Sequence, residues 1–182
     1  NKIYHQCPTY SGGRNWPFSA YSPTRNVMYV QLQNMCSNIR ARADRTPQPG
    51  MLYNTQGDFV LSDGKSDLGR IDAISVETGR TLWSWENRTS NYSPILTTAG
   101  DILFNGGHDR YLRAHDQADG KVLWQTRLGS QAHGAPVTYE VDGRQYIAIV
   151  AGGGWNPGPH QVTPDSDHIS GGNMVYVFAL PR

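Results

Sequence analysis

From Arg70 onward apolar and polar residues alternate along short runs, the period of a strand with one covered face. Arg70 to Ser75, Thr81 to Trp85, Pro94 to Thr98 and Ile102 to Phe104 make one set of four. Tyr111 to His115, Val122 to Thr126, Pro136 to Val141 and Gln145 to Val150 continue it, and Met174 to Leu180 closes the chain. Turn residues punctuate the runs at Glu77-Thr78-Gly79, Ala99-Gly100-Asp101, Asp119-Gly120, Gly129 and Asp142-Gly143. The last predicts a two-residue hairpin, because both central positions of such a turn want positive φ. Helical periodicity is not sustained anywhere. Two stretches break the rhythm: 37–67, polar and broken by Pro47, Pro49, Gly50, Gly57 and Gly64, and 152–172, which opens on three glycines. Both are expected to be irregular, the first as a long insertion and the second as a glycine-rich loop.

One segment recurs. Ala73, Gly79 and Trp83 return as Ala114, Gly120 and Trp124, each at an offset of 41 (114 − 73, 120 − 79, 124 − 83). A period of about 40 with a glycine turn and a tryptophan is one four-stranded propeller blade. The glycine supplies a left-handed turn and the tryptophan lands on the next strand, where its indole can pack between blades and donate to a neighbouring carbonyl. Trp83 and Trp124 are therefore read as structural.

Length then limits the picture. The chain has 182 residues, enough for roughly three to four blades, whereas a closed ring needs at least four. Only two clean repeats occur, and no apolar leader precedes Asn1. The sequence is expected to be a processed or cleaved piece of a larger propeller. A net charge of +1 with no basic stripe argues against nucleic acid. The longest apolar runs are strand-sized, so no membrane span is expected. Cys7 and Cys36 fit either two buried thiols or a disulfide in an exported protein.

The series Gly12-Gly13-Arg14-Asn15-Trp16-Pro17, Ala20-Tyr21-Ser22-Pro23, Leu96 to Phe104, Ala135 to Tyr139, Asp142 to Tyr146 and Gly153-Gly154-Trp155 resembles the PQQ-dependent alcohol dehydrogenases. The order matches the carboxy-terminal third of that family. The resemblance implies an all-β fold, roughly the last three blades of an eight-bladed β-propeller completed by another, larger amino-terminal chain, with residues 1–182 as one part of that domain. It implies cofactor contacts at Asn15, Trp16, Gly154 and Trp155. Tyr92 stands where some relatives place a tryptophan near the cofactor. It also implies a Cys7–Cys36 disulfide and export to the periplasm.

The activity implied is oxidation of alcohols, sugar alcohols among them, to carbonyls. In the family a Ca²⁺ ion polarises a carbonyl of the PQQ cofactor, an aspartate takes the hydroxyl proton, and hydride passes to the quinone. Electrons then leave for an external acceptor such as a cytochrome c. Metal ligands and base belong to earlier blades, so no catalytic residue and no metal ligand are expected here. A cofactor-free propeller of the same repeat is the rival; it would need Trp83 and Trp124 but have no use for Asn15-Trp16.

The histidines His5, His108, His115, His133, His160 and His168 show no metal-binding spacing. Asp165, Asp167 and His168 read as a solvated loop, and Gly106-Gly107-His108-Asp109 as a turn.

Overall fold

The computed structural model describes residues 2–40, 46, 49–50, 56–153, 157–166, 169 and 171–179. Its strands are β1 (Ile3–Gln6), β2 (Ala20–Ser22), β3 (Val27–Gln33), β4 (Met35–Arg40), β5 (Gln56–Leu61), β6 (Gly69–Ser75) and β7 (Thr81–Asn87). They continue with β8 (Leu96–Thr97), β9 (Ile102–Gly106), β10 (Tyr111–Asp116), β11 (Val122–Arg127), β12 (Val137–Val141), β13 (Arg144–Ala151) and β14 (Met174–Ala179). A short helix, α1 (Pro157–Val162), lies between β13 and β14. The strands form four antiparallel sheets, ordered β2-β3-β6-β7, β8-β9-β10-β11, β12-β13-β14 and β1-β4-β5.

The first three sheets pack in series, as blades do. Val27, Tyr29, Ile71 and Ala73 of one meet Ile95 beside the next and Leu103 within it. Leu112 of that second sheet meets Ile149 and Ala151 of the third, backed by Tyr176 and Phe178. Apolar side chains on alternate strand positions thus fill each gap between sheets, and burying them drives the stacking. The fold is all-β and a partial propeller.

The repeat is visible in the backbone. Ala73 stands opposite Trp83 and Ala114 opposite Trp124, with a register shift just after each alanine. Cross-strand partners share a face at close range, so the small alanine leaves room for the indole. Trp83 reaches across to the next sheet, where its Nε1 donates to the Gln117 carbonyl at 3.1 Å and Tyr29 Oη donates to the same oxygen at 2.9 Å. Two donors from one blade thus converge on one carbonyl of the next. Trp124 instead meets Phe178 of the third sheet edge-on at 5.4 Å.

Two expectations of irregularity are corrected. Residues 37–67 contribute most of β4 and all of β5, which pair with each other, β4 pairing with β1 on its other edge. Alternation in Gln56 to Leu61 is blurred because Met35, Leu68 and Val162 cover only part of this sheet, at Phe59 and Leu61. Residues 152–172 include α1, whose Gln161 side chain accepts from the Phe59 backbone N–H at 3.0 Å. The Asp142-Gly143 hairpin has the expected positive φ, 50° and 72°. Cys7 and Cys36 are joined as a disulfide, tying the segment after β1 to β4.

His115 gives the fold a pH dependence. The side chain is fully buried, with Nδ1 on the Gly120 carbonyl at 3.0 Å and its ring 4.7 Å from that of Trp85. Burial pushes its pKa down to about 4; the Gly120 carbonyl opposes this and the Arg113 charge adds to it. An unfolded chain takes up that proton near pH 6.5, so between these values the unfolded state binds more protons. Stability is complete above pH 6.5 and falls as pH drops, by roughly 3 kcal/mol at pH 4. Denaturant titrations at pH 7 and pH 4.5 should show this loss in the native protein and a smaller one in His115→Phe; equal losses would contradict the assignment.

Candidate functional site

The loops that lead into the first strand of each stacked sheet converge at one end of the stack. Residues 13–17 precede β2, residues 88–95 precede β8, and residues 128–136 precede β12. Backbone bonds fix them: Gln33 N–H donates to the Gly13 carbonyl at 2.8 Å, and His108 N–H to the Ser90 carbonyl at 2.9 Å. Gly152 N–H donates to the Gln131 carbonyl at 2.9 Å, bringing the end of β13 to the same place.

Four rings meet there. Trp16 stands edge-on to Tyr92 at 5.7 Å and to His133 at 5.5 Å. Tyr92 lies tilted against His108 at 5.5 Å and His133 at 5.3 Å, and the two imidazoles are 5.7 Å apart. Tyr92 is half-buried; burial raises its pKa, opposed by a hydrogen bond from the Trp16 side chain. Burial lowers the pKa of His133, which favours the neutral ring. The Nε2 of His133 is buried without a hydrogen-bond partner. Trp16, by contrast, is 56% exposed.

Asn15 sits at the mouth of this cluster. Its Oδ1 accepts from the Trp16 backbone N–H at 2.8 Å, and the side chain is exposed. Asn15 and Tyr92 line two adjoining hollows, one reaching Arg14, the other Tyr10 and Phe59. The site therefore offers flat aromatic surface, amide donors and a nearby guanidinium. That chemistry suits a flat, oxygen-rich aromatic ligand.

A family model for the glucose/ethanol/alcohol dehydrogenase β-propeller domain matches residues 65–147. The 1-butanol dehydrogenase (quinone) of Thauera butanivorans is 32% identical over 96% of this chain, which spans 28% of that protein. The lanthanide-dependent methanol dehydrogenase of Methylacidiphilum fumariolicum is 34% identical over 97% of the chain and 30% of its own length. A europium-containing methanol dehydrogenase structure superposes with a TM-score of 0.88 at 28% identity, over 97% of this chain and 34% of that one. Over nearly its whole length this chain is similar to the quinoprotein alcohol dehydrogenases. It spans about a third or less of these quinoprotein relatives.

The fold thus brings Asn15, Trp16 and Tyr92 together. Gly154 and Trp155 lie outside the described residues, as do Asp167 and His168, but Gly153 abuts His133: a Cβ there would lie 3.3 Å from Nδ1. Asp165 pairs with Arg88 at 2.5 Å. His108 and His133 were missed as site residues, although a signal existed for one of them. His133 is the repeat equivalent of Tyr92, since 133 − 92 = 41, the offset of the tryptophans. Metal-ligand spacing in sequence does not reveal rings stacked from separate loops. Among the described residues the one cluster of possible metal ligands is His5, Cys7 and Cys36, and its two sulfurs are already bonded to each other.

Proposed function

We propose that this chain forms one wall of the cofactor pocket of a PQQ- and calcium-dependent alcohol dehydrogenase, as the carboxy-terminal part of a propeller completed by a larger amino-terminal portion. The observation that carries the reading is the convergence of Asn15, Trp16 and Tyr92 from separate loops onto one exposed aromatic face. PQQ, when bound, supplies the acceptor for the hydride of an alcohol's carbinol carbon. Asn15 would donate to an oxygen of that group, and Trp16 would cover part of its ring system and exclude water. The neutral His133 ring packs against both, 5.5 Å from the Trp16 ring and 5.3 Å from that of Tyr92.

The calcium ligands and the aspartate base are assigned to the remaining portion, and the electrons to an external acceptor such as a cytochrome c. The Cys7–Cys36 disulfide suits an exported, periplasmic protein. Among the described residues no helix is long and apolar enough to cross a membrane.

In the whole protein, Trp16→Ala and Asn15→Leu should each weaken PQQ binding about tenfold or more, the scale of one lost ligand contact. Titration of PQQ into apoprotein, followed by tryptophan fluorescence, checks this; unchanged affinity in both variants would remove Asn15 and Trp16 from the site.

A further inference from the structure

Residues 157–166, which include α1, belong to an excursion from the stack between β13 and β14. Gly171 N–H donates to the Gly153 carbonyl at 3.3 Å, so the two ends of that excursion meet at its neck. Gly158 and Pro159 of α1 line the larger hollow together with Asn15 and Tyr92. Where α1 lies therefore shapes the approach to the cofactor wall.

α1 depends on its neighbours for that place, because a helix of six residues has no stability of its own in water. Its Val162 packs with Met35 and Leu68. Gln161 adds two bonds to β5, accepting from the Phe59 N–H at 3.0 Å and donating to the Asp58 carboxylate at 3.3 Å. A further tie is ionic. Arg88 donates from Nε and Nη2 to the two oxygens of Asp165, at 3.0 and 2.5 Å, and from Nη1 to the Ser66 carbonyl at 2.9 Å. One guanidinium thus joins three segments: the connection between β5 and β6, the start of the loop that carries Tyr92, and the stretch just after α1. Its forked pairing fixes direction as well as distance.

Both side chains of the pair are partly exposed, 38% for Arg88 and 58% for Asp165. An ion pair in that setting contributes little to global stability. Local opening is different, since releasing a short surface element breaks far fewer contacts than unfolding does, and one pair is then a sizeable share of what opposes it.

We propose that Arg88 is a positioning residue for the cofactor wall. Through Asp165 it pins α1 beside the loop of Tyr92, and so sets one side of the hollow onto which Asn15 and Tyr92 open. The link to the cofactor rests on the function proposed above; the pin itself stands apart from it.

Hydrogen exchange of the whole protein, read on peptides from residues 157–166, tests the pin without cofactor. Arg88→Met and Asp165→Asn should each speed exchange there about threefold to fivefold, the scale of one exposed pair, with the global denaturation midpoint nearly unchanged. The double variant should be no faster than either single, because all three lose the same pair. Sodium chloride at about 1 M should accelerate exchange in the native protein and not in the variants, since screening then acts over about 3 Å. Unchanged exchange in both single variants, or additive acceleration in the double, would overturn the pin. Cofactor release is the second readout: PQQ should leave Arg88→Met about threefold to fivefold faster than native protein. Equal release beside faster exchange would overturn the link to the wall. If the native protein binds no PQQ, the proposed function and that link fail together, while exchange still decides the pin.

Discussion

Gly120→Ala is expected to destabilise the protein by roughly 2–4 kcal/mol, whereas Gly79→Ala, at the matching position of the repeat, should cost only about 1 kcal/mol. The two glycines share a backbone conformation, with φ of 77° and 69°, so both substitutions force a side chain into left-handed backbone. They differ in what lies overhead. A Cβ on Gly120 would stand 2.7 Å from Cε3 of Trp83, whereas one on Gly79 meets nothing within 4 Å. Overpacking is therefore added to strain at one site alone. Displacing the indole would also pull Trp83 Nε1 off the Gln117 carbonyl, the oxygen that holds Tyr29 as well. Denaturant midpoints of the two variants decide this. Equal losses would show that the Trp83 ring moves aside at little cost and that the inter-blade contact is soft.

Opening the Cys7–Cys36 disulfide should be costlier still in its consequences for the site. The bridge closes a loop of 29 residues in sequence separation, for which the chain-entropy model gives about 3–4 kcal/mol. That loop carries Tyr10, Gly12, Asn15 and Trp16. Thr9 N–H donates to the Met35 carbonyl at 3.0 Å and Gly12 N–H to the Thr9 carbonyl at 2.7 Å, so the bridge and these two bonds together seat the segment that carries Tyr10 and Asn15. Mild reduction, or the Cys7→Ser and Cys36→Ser pair, should lower the denaturation midpoint and weaken PQQ binding together. Stability lost with ligand affinity unchanged would show that the loop holds its place without the bridge.

Much of the blade architecture could be read from residue order. The 41-residue offset, the glycine turns and the alternating runs located β6, β7, β9, β10, β11, β12 and β13 to within two residues at each end, because turn residues bound each run and strands such as β6, β10 and β13 bury side chains against a neighbouring sheet. The strands of the insertion escaped notice for the complementary reason: β4 and β5 belong to a sheet covered only in part, so their sequences carry little alternation. The site divided in the same way. The resemblance to relatives pointed to Asn15, Trp16 and Tyr92, whereas His108, Tyr10 and Phe59 carry no local signature and His133 only its 41-residue offset from Tyr92.

The sequence by itself determined the class of fold, the repeat and the resemblance to relatives, since periodicity, turn chemistry and ordered motifs are properties of neighbours along the chain. Only the tertiary structure decided that Trp83 rests on Gly120 while Gly79 lies open, that four rings from separate loops form one cluster, and that a partly covered three-stranded sheet walls a hollow beside it. Those facts depend on residues far apart in sequence meeting through inter-sheet packing, and the pattern along the chain does not encode which distant face each side chain will touch.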